Sequence, residues 1–449
     1  MPPASPPLCF DYSIGCRCCL AATEDDTYRE IVAIAHVRHR EASPIRSLAA
    51  GVAAGIVAVA SLLGAVAITE LADLKPGPNE YNIAAWEVRN FPDRWLFLVG
   101  QALRGGPPSV ESQDATLARF FELTNQIDAL ETQVSNASQR GAGEDEALTA
   151  ELAALLDERD SIENQAEATI EARVTEIIEE QGLDSSFLLF DRAWPPVDAE
   201  FTNAPRMLAT SPRDRIELRS STLLREDLDL GEVEAIESEV AAEEDVAALA
   251  FPIGGLGAYP TLIEYPDSYE RAVEVIAHEW MHNHLFFRPL GFNYYRDNDV
   301  RAINETVADL VGREIARLVI ERWPIAAPAP GAPMPPAASG VDLRAKLRAL
   351  RGEVDALLAA GQIEQAEALM EIRRQELAAQ GHYIRKINQA YFAYLNLYAG
   401  EAGSPAAVNP IGPKVDELRR RAGTLDRFVQ VVGDVTNTSE LDEALTRLQ

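Results

Sequence analysis

His278-Glu279-Trp280-Met281-His282, followed 23 residues on by Glu305-Thr306-Val307-Ala308-Asp309, is the stretch from which the rest of the chain is best read. Residues four apart on an α-helix share a face, so His278 and His282 offer two imidazoles to one cation. Glu279 follows the first of them, the position from which a carboxylate reaches a metal-activated water. Glu305 completes a set of two His and one Glu. Three protein donors with a place left for water is the catalytic rather than the structural arrangement of zinc. Asp309, one helical turn beyond Glu305, is expected to accept the second N–H of a ligand imidazole and fix its tautomer.

The flanking residues predict two helices. Pro266-Asp267-Ser268 reads as a helix start with Asp267 as N-cap and Glu270 completing a capping-box-like pair. Val273, Ile276, Ala277, Trp280, Met281 and Leu285 then recur at helical spacing until Pro289-Leu290-Gly291. A loop over 293–298 leads to a second helix from about Val300, whose buried stripe is Ile303, Val307, Leu310, Val311, Ile315 and Leu318. Glu305 and Asp309 adjoin that stripe, and carboxylates beside an apolar face need counter-charge, which a cation and an imidazole supply. Three of the chain's six histidines lie between 278 and 284. His284 falls off the ligand face and reads as a packing or surface histidine.

His-Glu-x-x-His on one helix and Asn304-Glu305-x-x-Ala308-Asp309 on the next resembles the gluzincin metallopeptidases, which include the thermolysin-like enzymes. The Glu-x-x-Ala-Asp form is also similar to the small membrane-associated gluzincins related to the CAAX-processing and membrane quality-control proteases. Met281 departs from the Gly usual in the quality-control branch. The resemblance covers roughly residues 250–320. It implies a zincin-like catalytic core acting on a peptide or protein substrate. One Zn2+ would be held by His278, His282 and Glu305, with Glu279 as general base and acid. Asp309 would support His278, and Asn304 belongs to the same supporting motif. Gluzincins hold substrate by adding it to an edge strand, so Gly254, Gly255, Leu256, Gly257, Ala258 and Tyr259 are the candidate substrate-binding residues; an ordinary buried strand is the other reading of this segment. The family also needs a His or Tyr to stabilise the oxyanion. Tyr391 is the first candidate and His382 the second, in an aromatic helix that core packing also explains.

Composition bounds the rest. The 449 residues carry a net charge of −31, and the only lysines are Lys75, Lys346, Lys386 and Lys414. That balance argues against nucleic acid or an anionic lipid surface as partner of the soluble part. Between 48 and 68 run 21 residues without a charge, enough at roughly 1.5 Å each to span a hydrocarbon core of about 30 Å. Arg38, Arg40 and Arg46 precede the run, while Glu70 and Asp73 follow it. The expectation is a single-pass anchor in the cell membrane, N-terminus cytoplasmic and catalytic domain extracytoplasmic. A cleavable signal peptide cut near Ala65-Val66-Ala67 is the alternative. Cys9, Cys16, Cys18 and Cys19 all precede the run, so the exported part has no disulfides. The tail is open to lipidation or to a misassigned start. The aromatic segment 81–98 reads either as a membrane-surface helix or as the first packed helix of the ectodomain.

The expected organisation is an α+β, mainly helical protein. A tail over 1–46 and a transmembrane anchor over 47–70 precede a helical region with a coiled-coil hairpin over 76–185. The catalytic core with a small sheet follows over 186–323, then a Pro-rich linker over 324–340 and helices over 341–449 that complete the domain. In the first hairpin Leu117, Phe121, Leu123, Ile127, Leu130 and Val134 face Leu148, Leu152, Leu155, Ile162, Ile170, Val174 and Ile177, turning at Gly141-Ala142-Gly143. The second turns at Ala360-Gly361-Gln362, with Leu347, Leu350, Val354, Leu357, Leu358, Ile363, Ala366, Leu369 and Ile372 as its seam. Alternation through Arg215-Ile216-Glu217-Leu218-Arg219 predicts a strand of the small sheet. Self-association or partner binding through the coiled coils is expected, and a membrane-tethered interaction protein with a non-catalytic metal site is the rival reading of the whole.

Overall fold

Helical periodicity dominates the chain and the structure follows it: the fold is α+β, mainly helical, with three small sheets. The computed structural model describes residues 77–87, 89–90, 108–139, 146–185, 192–325, 343–396 and 410–448. After a short helical stretch, described over 83–87 and 89–90, run two long helices, α1 (Val110–Gln139) and α2 (Glu146–Glu180). Five strands follow: β1 (Asp184–Ser185), β2 (Arg192–Ala193), β3 (Ala199–Thr202), β4 (Arg206–Pro212) and β5 (Ser220–Leu224). Helix α3 (Leu230–Glu244) precedes β6 (Val246–Pro252), β7 (Gly255–Leu256) and β8 (Thr261–Glu264). The motif-bearing helices are α4 (Tyr269–Phe286) and α6 (Asn298–Arg322), joined through the single turn α5 (Pro289–Phe292). The rest is α7 (Leu343–Ala359), α8 (Ile363–Ala379), α9 (Gln389–Leu395), α10 (Ile411–Ala422), α11 (Leu425–Gly433) and α12 (Thr438–Arg447).

Helix α4 is central because one broad apolar face is wholly enclosed: Val273, Ile276, Ala277, Trp280, Met281 and Leu285 are all buried. Its N-cap is Ser268, whose hydroxyl accepts from the Arg271 N–H, and not the expected Asp267. Asp267 instead accepts a hydrogen bond from the Ser268 hydroxyl, one step further out. Helix α6 starts at Asn298, two residues before the expected Val300, because the Asp297 carboxylate caps it by accepting from the Val300 N–H at 2.8 Å. The two helices share one apolar core with the inner ends of α1 and α2 and with α10–α12. They approach so closely that a Cβ on Gly312 would sit 2.9 Å from the Glu274 carbonyl oxygen and 3.2 Å from the His278 backbone nitrogen. Only glycine fits there without moving a helix.

The first hairpin does not stand apart as a coiled coil. Its outer half is a two-helix pair, but Ile170, Val174, Ile177 and Ile178 of α2 pack into the same core as α4 and α6. Carboxylates of α2 also bind the sheet: Glu171 accepts from the Ala199 N–H at 2.9 Å and Glu167 from the Phe201 N–H at 2.8 Å. Strand β3 pairs in parallel with β8, whose other neighbour is the antiparallel edge strand β7. The second three-stranded sheet is antiparallel in the order β5-β4-β6. Residues 215–219, expected as a strand, form the wide connection between β4 and β5. The Ser211 hydroxyl donates to the Arg215 carbonyl and accepts from the Glu217 N–H, holding the chain off the ladder.

The second hairpin, α7 and α8, turns where expected, with Gly361 at φ +73°. Its seam closes through Met370 and Leu377, whereas Ile372 lies on the outer face, 53% exposed. A buried carboxylate ties the adjoining segment to the sheet. Glu237 of α3 accepts from the Ala250 N–H at 2.8 Å and pairs with Arg385 and with Lys386. Among the described residues no helix is long and apolar enough to cross a membrane. The expected anchor over 48–68, the cysteines, the Gly141-Ala142-Gly143 turn and nearly all of the Pro-rich linker lie outside the described residues.

Two predictions come from this packing. Gly312→Ala forces the α4–α6 crossing apart and is expected to destabilise the protein by about 1–3 kcal/mol in denaturant unfolding; an unchanged midpoint would show that the crossing yields freely. Glu163, Glu167 and Glu200 cluster with carboxylate oxygens within 4.8 Å of one another. Burial pushes Glu163 up to about 7, opposed by a Tyr265 hydrogen bond, and raises Glu167 well above the usual range. A carboxyl whose pKa is raised by folding stabilises the fold fully below its unfolded value, and that contribution is lost as pH rises through the folded one. Glu163→Gln is therefore expected to gain thermal stability over wild type at about pH 8 and to match it near about pH 5. A gap independent of pH would refute this.

Candidate metal centre

The first ligand helix places His278, Glu279 and His282 so that one donor atom of each lies within 4.8 Å of the other two. The second brings Glu305 closer still. Its Oε2 is 3.6 Å from His278 Nε2 and 3.4 Å from His282 Nε2, and the two Nε2 atoms are 3.1 Å apart. Three donors around a tetrahedral zinc, each at roughly 2.0–2.1 Å, stand about 3.3 Å from one another. The observed triangle matches that spacing on every edge.

Outer partners set the tautomers. His278 Nδ1 is 3.0 Å from Asp309 Oδ1, and His282 Nδ1 is 2.6 Å from Asn304 Oδ1. With the proton on each Nδ1 donated outward, both Nε2 lone pairs point inward at the Glu305 oxygen. Lone-pair donors converging in a buried site require positive charge between them. The proton affinities say the same. Burial alone would lower both imidazole pKa values, but hydrogen bonds donated to Asp309 and Glu305 raise His278 well above its usual range, and the Glu305 charge raises His282. Burial would raise Glu305, yet the two imidazoles hold it well below the usual carboxylate range. The site fits a divalent cation, and two nitrogens with one oxygen are a donor set that suits zinc.

Glu279 is set apart from this triangle. Burial raises its pKa, against the opposing pull of His278 and His282. It faces β7, where a Cβ on Gly255 would come within 2.8 Å of its Cγ and Oε1. The edge strand passes this close only because residue 255 has no side chain. A cleft of about 520 Å³ opens here, lined on the sheet side by Gly254, Gly255, Leu256 and Gly257.

Of the expected substrate-binding residues, Ala258 and Tyr259 lie outside the cleft lining. The chain turns after Gly257, with the Ala258 N–H donating to the Leu256 carbonyl at 2.7 Å, and the Ala258 carbonyl accepts from Asn283. Tyr391, expected as oxyanion donor, also lies outside it. Its ring packs beside Phe251 at 6.2 Å and against the second hairpin, while its neighbour Tyr394 reaches the cleft. His382 likewise does not line the cleft. His284 is the packing histidine expected: Nδ1 meets the Trp194 carbonyl at 2.8 Å, the ring lies on Trp280, and burial lowers its pKa.

Two site residues escaped the sequence reading. Tyr294, in the loop between the ligand helices, donates a hydrogen bond to Glu305 Oε1, and Arg301 Nε donates to the Tyr294 hydroxyl at 3.0 Å. The one available signal was the four-residue spacing that sets Arg301 on the Glu305 face of α6. Comparison with family models, with curated proteins and with solved structures finds no match to this chain.

Asp309→Ala frees the His278 ring to turn, so zinc affinity measured by chelator competition is expected to weaken by about 10- to 100-fold. Unaltered affinity would show that Asp309 does not orient the ligand.

Proposed function

We propose that the protein is a zinc-dependent peptidase of the zincin type, attached to a membrane. The observation that carries this reading is the position of Glu279, a buried carboxylate between a convergent His-His-Glu donor set and a glycine-lined edge strand. A purely structural metal site has no use for an acid beside its donors or for a cleft of about 520 Å³ in front of them.

The division of labour follows from the residues. Strand β7, with only β8 as its sheet neighbour among the described residues, offers backbone groups on which an extended polypeptide adds as a further strand. Glycines 255 and 257 let the chain lie close to the acid. Glu279 takes a proton from the attacking water and returns it to the departing amine; its raised proton affinity makes it a better base than an ordinary surface glutamate. Zinc held by His278, His282 and Glu305 would supply Lewis acidity toward water and the substrate carbonyl. Asp309 and Asn304 keep the two imidazoles turned inward. Attachment to the cell membrane, with the catalytic part outside the cytoplasm, is supported by the uncharged run over 48–68 and the arginines before it.

Full-length protein is expected to carry about one zinc per chain and to cleave unstructured peptides. Glu279→Gln is expected to keep the zinc while lowering turnover by about 10²- to 10⁴-fold. Zinc-loaded wild type that turns over nothing in a broad peptide library would defeat the proposal.

A further inference from the structure

A carboxylate can grip a cation with one oxygen or with both, and the choice decides how much of the coordination sphere remains for water and substrate. Glu305 is built to use one. Oε2 faces the two imidazoles at 3.4 and 3.6 Å, while Oε1 is engaged by the Tyr294 hydroxyl on its other side. Arg301 fixes the direction of that hydrogen bond. A guanidinium only donates and an ionised carboxylate only accepts, so the phenol between them receives from Arg301 Nε at 3.0 Å and must send its own hydrogen to Glu305.

Each member of this chain is itself held in place. Arg301 is buried on the first turns of α6, one turn before Glu305, and its Nη1 reaches the Ser221 hydroxyl of β5 at 3.3 Å. The guanidinium carbon lies 5.1 Å from the centre of the Tyr294 ring, which stands edge-on to His282 at 5.8 Å. The phenol therefore cannot drift from Glu305 without breaking contacts to both ligand helices. We propose that Tyr294, aligned by Arg301, is a positioning residue that restricts Glu305 to a single metal-facing oxygen and so keeps space at the metal for water and substrate. The proposal rests on the peptidase reading above and adds to it why the carboxylate ligand does not close the site.

The test uses full-length protein loaded with cobalt(II) in place of zinc, because the intensity of cobalt's visible absorption falls when a further donor joins a four-coordinate site. Tyr294→Phe keeps the ring and its packing and removes only the hydroxyl. The variant is expected to retain cobalt, to show weaker visible absorption than wild type, and to lose activity about 10- to 100-fold in kcat. Arg301→Gln, which leaves the phenol in place but unaligned, is expected to move the spectrum in the same direction by a smaller amount, and it carries the test should Tyr294→Phe not fold. A cobalt-loaded Tyr294→Phe protein with the wild-type spectrum overturns the role of Tyr294 and leaves the peptidase reading standing. Wild type that takes up neither cobalt nor zinc removes the peptidase reading, and this inference with it.

Discussion

Three lone pairs aimed at one buried point repel each other, and the molecule is organised around holding them there. While both imidazoles are neutral and donate outward from Nδ1 to Asp309 and Asn304, neither Nε2 nor Oε2 of Glu305 has a hydrogen to offer the others. An arrangement like that persists only where surrounding packing outweighs the repulsion or a cation relieves it. Both conditions are met here. The helices carrying the donors lie in the largest apolar core among the described residues, and the spacing of the donors suits a cation.

The constraint is distributed over two sides of one helix. Successive residues of an α-helix point roughly 100° apart, so His278 and Glu279 address different neighbours. His278 looks toward α6, and that approach depends on Gly312. Glu279 looks toward β7, and that approach depends on Gly255. Two missing side chains, on elements far apart in sequence, let a helix and a strand close on adjacent residues of α4. Trp280, the next residue, fills a third direction and anchors the helix by donating its indole N–H to the Pro195 carbonyl at 2.7 Å.

What the sequence made legible follows from this geometry. The ligand helices could be read because metal donors at a four-residue interval coincide with a strong apolar period, and the structure brings His278, His282, Glu305, Asp309 and Asn304 together. The glycines at 254, 255 and 257 were legible as a close backbone approach, though not what they approach. Tyr391 misled because it sits among aromatics, and only the tertiary fold decides that its helix turns Tyr394 to the cleft and Tyr391 to the second hairpin. Tyr294 was hidden for the opposite reason: a loop residue has no periodicity to reveal its direction. The α2 carboxylates Glu167 and Glu171 lie off the apolar seam read for the hairpin and bind the N–H groups of β3. Helical spacing says which residues share a face and leaves open which partner that face meets.

The same limit explains why two glutamates of one site hold their protons so differently. Burial raises the proton affinity of both, and neighbours then separate them. Glu305 is enclosed by the two imidazoles, which overcome its desolvation and leave it well below the usual carboxylate range. Glu279 feels the same imidazoles with no hydrogen bond from either, and the charges of Glu305 and Asp309 push the other way, so its pKa stays raised. A ligand must keep its charge against the pull of protons, whereas a base must be ready to accept one. In the proposed peptidase these opposed requirements fall on Glu305 and Glu279. The residue type is identical, so the assignment of roles lies in what each carboxylate touches: two rings and a phenol in one case, a bare glycine strand in the other.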